Sequence, residues 1–372
     1  MANNTNTSKR IVICGGGVIG SCTAYFLAKR GVGAQVTIIE QTGIACAASG
    51  KAGGFLALDW CDNSPVGPLA RLSFSLHKQL SEELGVDYGY RPLDTLSVGM
   101  RENNKTKKET DTELPEWLNK DLVTHASTIG NTQNTAQCHP GKLCAALVDA
   151  AKQMGVAVKI GTVQSVQHEA GQVKSVTVDG ETVPCDVVVM ALGPWSAVAI
   201  PWFPAKSFPS IKGVKAHSIT LRPTEPFTAH AIFLDYRTST GKSYDPEIYP
   251  RKDEVYMCGV SEIGTDLPSD ASKVVPSEGA CETIYNWAKT VAPSLASLEI
   301  DKRQACFLPH AADGLPVIGP VPGVQGAFVA TGHTCWGILN GPATGVVVSE
   351  MILDGEAKSV DCSPFSVTRF KK

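Results

Sequence analysis

Charge is scarce in this sequence: Asp, Glu, Lys and Arg make up 19% of its 372 residues, below the roughly 25% of an average globular protein. A highly charged, disordered chain is thereby excluded. A basic excess is missing too. The 33 Lys and Arg against 36 Asp and Glu leave a formal charge of −3, which argues against nucleic acid as a partner because phosphate binding needs clustered positive charge. No apolar run reaches the roughly 18 residues that a spanning helix requires, so no membrane span is expected. The 12 cysteines include no CxxC pair and are scattered from Cys14 to Cys362, which excludes a zinc ribbon and a thioredoxin-type motif; no metal site is expected. Disulfide scaffolds are short secreted chains, so free thiols and a reducing interior are expected. MANNTNTSK at the start has neither an apolar signal core nor an Arg-rich amphipathic pattern. The cytoplasm fits, or another reducing compartment such as a plastid if a transit segment is removed. No HExxH or Ser/His/Asp constellation is present.

Glycine is abundant, with 35 residues, and the first forty positions show why. Arg10 to Ile13 reads as a short buried strand. It leads into Gly15-Gly16-Gly17-Val18-Ile19-Gly20, a G-x-G-x-x-G turn, followed by a helix with Ala24, Phe26, Leu27 and Ala28 on its apolar face and Gly31 at its end. A second strand, Gln35 to Ile39, finishes at Glu40. In such a unit Gly15 makes the tight turn, Gly17 lets the backbone approach a pyrophosphate and Gly20 packs helix on strand. Glu40 is placed for a ribose 2′-OH. The helix N-terminus favours phosphate. Strand, glycines, helix, strand and acid in register predict a bound dinucleotide, without separating NAD from FAD. The run IACAASGKAGGF (Ile44 to Phe55) then supplies small residues that let backbone lie against a flat ring, where a nicotinamide dehydrogenase would continue alternating strands and helices.

Further along, the middle of Trp60 to Tyr90 predicts a helix with Leu69, Leu72, Leu76 and Leu80 on one face. Arg101 to Glu116 is polar and reads as a solvated loop. Cys138 to Gly161 reads as turn, helix and strand, followed by hairpin-like strands, and Val187 to Ala191 as a buried strand. Residues 206 to 304 alternate short strands and turns with one helix near Ile284. The last 70 residues return to strand and helix. These patterns predict an α/β protein: a discontinuous Rossmann-type domain (1–75, 135–205 and 305–372) with an inserted α+β substrate domain on a largely antiparallel sheet (76–134 and 206–304).

Together RIVICGGGVIG with IIEQ, ACAASGKAGG, HPGKL with GTVQSV, VVVMALGPWS, YPRKDEVYMCGVSE, PHAADGLPVIG and GHTCWGILNGPATG resemble, in order and over nearly the whole chain, the FAD-dependent D-amino-acid oxidase, glycine oxidase and sarcosine oxidase family, its plant and fungal members most of all. The resemblance implies a flavin domain of the glutathione-reductase-like kind and FAD as cofactor. It implies that Gly17, Val18 and Ile19 hold the pyrophosphate, and Glu40 with Gln41 the adenosine ribose. Ala48, Ser49, Lys51, Ala52, Gly53 and Gly54 would line the pyrophosphate and the flavin edge. Val163 would meet the adenine, and Leu192, Gly193 and Trp195 would form a second wall. Gly332, His333, Gly337 and Ile338 would bring a helix N-terminus to the pyrimidine side of the flavin, where reduction adds negative charge. It implies oxidation of a carbon next to an amine by hydride transfer to flavin N5, with oxygen as acceptor, giving imine and peroxide.

One departure bears on substrate. Amino-acid oxidases of this family hold the substrate carboxylate with an arginine; here Leu308 stands in its place, and a leucine cannot do this. Lys51, Arg237 and Arg251 are the replacement cations, or the substrate lacks a carboxylate. Lys51, His333, Trp336 and Tyr249 are the candidate catalytic residues, with Tyr236, Tyr244, Asp59 and Trp60 as further pocket candidates. Cys306 stands where sarcosine oxidases attach FAD covalently; a buried, unmodified thiol and non-covalent FAD are the favoured expectation. Three readings stay open: an amine or imino-acid oxidase, a dehydrogenase feeding a carrier or quinone, and an assembly factor that keeps the fold without turnover.

Overall fold

Ile11–Cys14 is apolar at all four positions and buried on both faces, the signature of an interior parallel strand. It lies between Val36–Glu40 and Val187–Met190, parallel to both. The computed structural model describes residues 9–103 and 112–370; 104–111, at the centre of the expected polar loop, and residues 1–8 of the polar start lie outside the described residues. The six-stranded sheet runs in the order Val317–Pro320, Ala327–Thr331, Val187–Met190, Ile11–Cys14, Val36–Glu40, Ala157–Ile160, with only the first pair antiparallel. Alternate side chains go to opposite faces. Ile11, Ile13, Val187 and Val189 pack under the helices Val18–Leu27, Pro140–Gln153 and Gly337–Leu353. Val12, Cys14, Val188 and Met190 pack under a three-stranded meander, Val163–Glu169, Gln172–Val178 and Glu181–Pro184.

A second sheet of eight strands is ordered Lys302–Ala311, Ile211–Leu221, Val255–Glu262, Glu247–Pro250, His230–Arg237, Asp94–Arg101, Val123–Gly130, with Ser243–Tyr244 on His230–Arg237. All its pairs are antiparallel except His230–Arg237 with Asp94–Arg101. Helix Ala280–Val291 covers one face through Cys281, Ile284, Trp287, Ala288 and Val291; the other face carries Tyr249 and Tyr256 against Phe55. The α/β class and the antiparallel second sheet match the expectation from sequence. Two boundaries do not: 75/76 cuts the helix Gly67–Glu83, and 304/305 cuts the strand Lys302–Ala311. Neither break carries a glycine or proline signal in sequence.

Helix Gly67–Glu83 also buries a different stripe from the expected one. Leu69, Ser73, His77 and Leu80 are buried, whereas Leu72 and Leu76 are half-buried. The reason lies in its partner helix, Gly337–Leu353, which contains Pro342. A proline has no N–H to give the carbonyl four residues back, and that carbonyl, Ile338 O, accepts instead from His77 Nε2 at 2.9 Å. Leu339 O lies 3.2 Å from the same nitrogen. Ala343 N donates to Ser73 Oγ at 3.0 Å. The polar residues on the buried stripe thus satisfy backbone groups around the proline, as buried polar groups require.

Candidate active site

The carboxyl ends of the parallel strands converge on one cleft of about 440 Å³, bordered by Gly15, Glu40, Val163, Leu192 and Thr331. Ligands of open α/β sheets bind at this edge. The glycine turn is built for close approach. Gly15 has φ +111° and a Cβ there would sit 2.3 Å from Ala191 O; one on Gly20 would sit 2.0 Å from Gly15 O. Gly20 is therefore a helix-packing residue behind the cleft, whereas Gly15, Gly17, Val18 and Ile19 line it.

Glu40 closes the turn from the second strand. Its Oε2 accepts from Gly16 N at 2.7 Å and its Oε1 from Thr42 N at 3.0 Å. Gln41 lines the cleft beside it and donates through Nε2 to Thr162 Oγ1 at 3.4 Å. From the small-residue run, Ala48, Ser49 and Ala52 line the cleft, and Ser49 Oγ accepts from Val18 N at 2.9 Å at the start of the helix. The far wall has Leu192, Gly193 and Trp195, with the indole Nε1 donating to Pro268 O at 2.7 Å. His333, Gly337, Ile338 and Leu308 complete that end.

His333 is buried, with Nε2 3.0 Å from Thr344 Oγ1 and Nδ1 without a partner among the described residues. Burial pushes its pKa down to about 3, so the ring is neutral at physiological pH and offers a hydrogen bond, not a charge. An orphaned buried nitrogen on a cleft wall is what an absent polar ligand leaves. With the glycine cradle and the Glu40 carboxylate at the other end, the residues fit a bound dinucleotide.

Several expected site residues lie elsewhere. Lys51 is half-buried behind the cleft; its Nζ donates to Ala305 O at 2.9 Å, and burial lowers its pKa. A Cβ on Gly53 would lie 2.5 Å from the Tyr249 ring, and one on Gly54 2.0 Å from Cys138 O, so both serve packing of the loop. Gly332 makes a left-handed turn (φ +76°) before His333 and does not border the cleft. Arg251 is buried and committed: Nη2 donates to Ala52 O at 2.6 Å and Gly53 O at 2.9 Å, Nη1 pairs with Glu254, and the guanidinium lies 4.9 Å from the Tyr256 ring. Arg237 is exposed at the end of its strand. Tyr236 and Tyr244 pack against Trp287 on the helix-covered face of the second sheet, and Asp59 accepts from Asn134 Nδ2 at 3.1 Å. The thiol of Cys306 is buried and raised to about 11, desolvation outweighing the nearby Lys51 ammonium.

Tyr249 and Trp336 do not line the cleft; they join an aromatic cluster that adjoins it where Trp336 follows Cys335 and where Tyr249 meets Gly53, next to Ala52. Phe55 stacks on Tyr249 (centroids 5.7 Å, 8° apart) and meets Trp60 at 5.0 Å and Phe233 at 5.1 Å; Trp60 meets Trp336 edge-on at 6.3 Å. Phe55 and Phe233 carry no local signal for this role, since their meeting depends on tertiary packing. Thr162, Gln164 and Thr331 also border the cleft unanticipated; the position of Thr162 just past, and of Thr331 at, the carboxyl end of a parallel strand is the signal that finds those two.

The model of the family described as FAD dependent oxidoreductase matches residues 10–351. An oxidoreductase of Schizosaccharomyces pombe is 34% identical, the match covering 96% of this chain and 97% of that protein. Glycine oxidase of Geobacillus kaustophilus is 28% identical over 96% of both chains. The crystal structure of glycine oxidase from that organism superposes with a TM-score of 0.80 at 26% identity, covering 97% of this chain and 98% of that one. The L-proline dehydrogenase structure from P. horikoshii shares the fold, with a TM-score of 0.76 at 21% identity, over 98% of each chain. Among the described residues no helix is long and apolar enough to cross a membrane, and no cluster of His, Cys, Asp or Glu has metal-binding geometry. With its dinucleotide cleft, its sheet order and a family match over nearly its whole length, this chain belongs to the FAD-dependent oxidoreductases of the D-amino-acid oxidase type, and FAD is its cofactor.

Proposed function

We propose that this chain oxidises a CH–NH bond of a small amine or amino or imino acid, with oxygen as the acceptor and imine and hydrogen peroxide as products. FAD bound in the cleft supplies the two-electron acceptor and the route by which electrons reach oxygen. Gly15, Gly17, Val18 and Ser49 would hold the pyrophosphate, Glu40 and Gln41 the ribose, and Val163 the adenine. Leu192, Gly193, Trp195, His333, Gly337 and Ile338 would hold the flavin end.

The observation that carries the reading is the contact of Gly53 with Tyr249. Through it the packed aromatic cluster of Phe55, Trp60, Phe233, Tyr249 and Trp336 lies directly behind the loop that borders the cofactor cleft. Such walls exclude water and orient a C–H bond, which are the protein's tasks when the cofactor supplies the chemistry. Neutral His333 borders the cleft without adding charge. The glycine oxidase and L-proline dehydrogenase relatives are named for amino-acid oxidation, which supports the amine chemistry.

The test is anaerobic addition of glycine, D-alanine, sarcosine, proline, pipecolate and piperidine to the FAD-loaded protein, followed by admission of oxygen. Bleaching of the flavin absorbance by one of them and stoichiometric peroxide on reoxidation are expected. Bleaching with reoxidation only by a dye or quinone would replace oxidase by dehydrogenase. No bleaching by any amine would overturn the proposal.

A further inference from the structure

Successive odd positions of Glu247–Pro250 point to one face of the second sheet, so Glu247 shares the face of Tyr249. Its cross-strand neighbours are Phe233 and Cys258, both on the aromatic side of the sheet. The Tyr249 hydroxyl and the Cys258 thiol both donate to Glu247 Oε2, the thiol at 3.6 Å; Oε1 has no donor among the described residues. No Lys, Arg or His among the described residues forms an ion pair with it. Of the candidate cations, Lys51 is spent on Ala305 O and Arg251 on Ala52, Gly53 and Glu254. The carboxylate is also close enough to Cys335, which borders the cofactor cleft, to add to the upward shift that the surrounding protein gives that thiol.

We propose that Glu247, beside the aromatic cluster, is a specificity-determining residue that selects an apolar amine carrying no carboxylate. Desolvating a carboxylate without a counter-charge is costly, and an ammonium or amine arriving at Oε1 offsets that cost. Burial raises the Glu247 carboxyl above its usual range, as expected for an acid whose cation comes with the ligand. Phe233, the cross-strand neighbour of Glu247, and Tyr249 offer apolar cover to the hydrocarbon part of such an amine. A substrate carboxylate would meet this acid instead of an arginine, with Leu308 bordering the cleft, and would find no counter-charge there.

The inference rests on the amine reading above, and the experiment separates the two. The probe is α,α-dimethylbenzylamine, which lacks a C–H bond next to nitrogen, compared with benzoate; binding to the FAD-loaded protein is followed by calorimetry and by flavin difference spectra. The amine is expected to bind at least about tenfold more tightly than benzoate, the scale of a hydrogen bond to a charged group. Glu247→Gln is expected to weaken the amine by about tenfold or more while flavin content and thermal midpoint stay at wild-type values. Benzoate binding as tightly as the amine in the wild-type protein, a comparison that needs no variant, would overturn the inference. So would an unchanged amine affinity in a folded Glu247→Gln protein. If the amine binds as expected but no oxidisable amine, N-methylbenzylamine and sarcosine included, bleaches the flavin, the reaction reading fails and the role of Glu247 stands. If sarcosine or glycine bleaches it and the probe amine does not bind, the reaction stands and the role of Glu247 fails.

Discussion

The carboxylate of Glu40 accepts the amide hydrogen of Gly16 at 2.7 Å, so the end of the second strand holds the glycine turn in shape as well as facing the cleft. Glu40→Ala removes a charge-assisted bond of the kind that contributes about 1.5–3 kcal/mol. A loss of FAD affinity of roughly 10- to 100-fold is expected from that energy. Fluorescence titration of the apoprotein with FAD checks it; unchanged affinity would show that the turn is held by its glycines alone.

Arg251 links the second sheet to the cofactor loop through the carbonyls of Ala52 and Gly53. Glu254, its buried partner, also lies 3.4 Å from His139 and 3.5 Å from Lys302. Replacing Arg251 with Met strands the Glu254 carboxylate and releases the two carbonyls. Breaking a buried pair from one side costs about 3–5 kcal/mol, so a lower urea midpoint is expected, together with faster FAD loss on dialysis. Arg251→Lys is expected to recover only part of this, since one ammonium cannot reach both carbonyls and the carboxylate in the guanidinium geometry.

Acid sensitivity follows from His77. Burial lowers its pKa to about 4 in the folded protein, against about 6.5 in an unfolded chain. Between those values the unfolded chain binds more protons, so stability falls as pH drops from about 6.5 to about 4 and this contribution levels off below. The shift corresponds to up to about 3 kcal/mol. His139 and His333 are shifted in the same direction, to about 4 and about 3, and steepen the loss. Urea midpoints between pH 7 and 4 measure the slope, and His77→Gln is expected to remove close to one proton from it.

The buried thiol of Cys306, raised to about 11, is a poor nucleophile at neutral pH, and the residue does not border the cleft. Acid precipitation of the FAD-loaded protein should leave the flavin in the supernatant, and Cys306→Ser should retain wild-type flavin content. Flavin absorbance in the washed acid pellet, lost in Cys306→Ser, would show a covalent bond instead.

The residues that could be read from sequence are those whose role is set by near neighbours. Gly15, Gly17 and Gly20 belong to one turn of six residues, and Glu40 is fixed by strand length, so their spacing carries the cleft. Gly53 and Lys51 stand in an equally suggestive run, yet their partners are Tyr249 and Ala305, some 200 positions or more away in the chain and without any local signature. The same holds for Arg251, whose charge marks it as a substrate anchor until its carbonyl partners are seen. Glu247 passes unnoticed because a lone acid in a strand reads as surface; only the register with Phe233 and Cys258 places it on the aromatic face. Helix Gly67–Glu83 misleads for a further reason. Leucine periodicity locates a helix, but Ser73 and His77 are buried to serve a proline in another helix.

That arrangement of Pro342 with His77 and Ser73 bears on how the sequence can drift. A change of Pro342 to Ala restores an N–H that competes with His77 for the Ile338 carbonyl, and a change of His77 to Leu leaves that carbonyl bare while the proline remains. Each step alone is a loss, whereas both together restore an ordinary helix against an apolar neighbour. Lineages are therefore expected to keep the two residues as a pair or to have exchanged them together, despite the 265 positions between them.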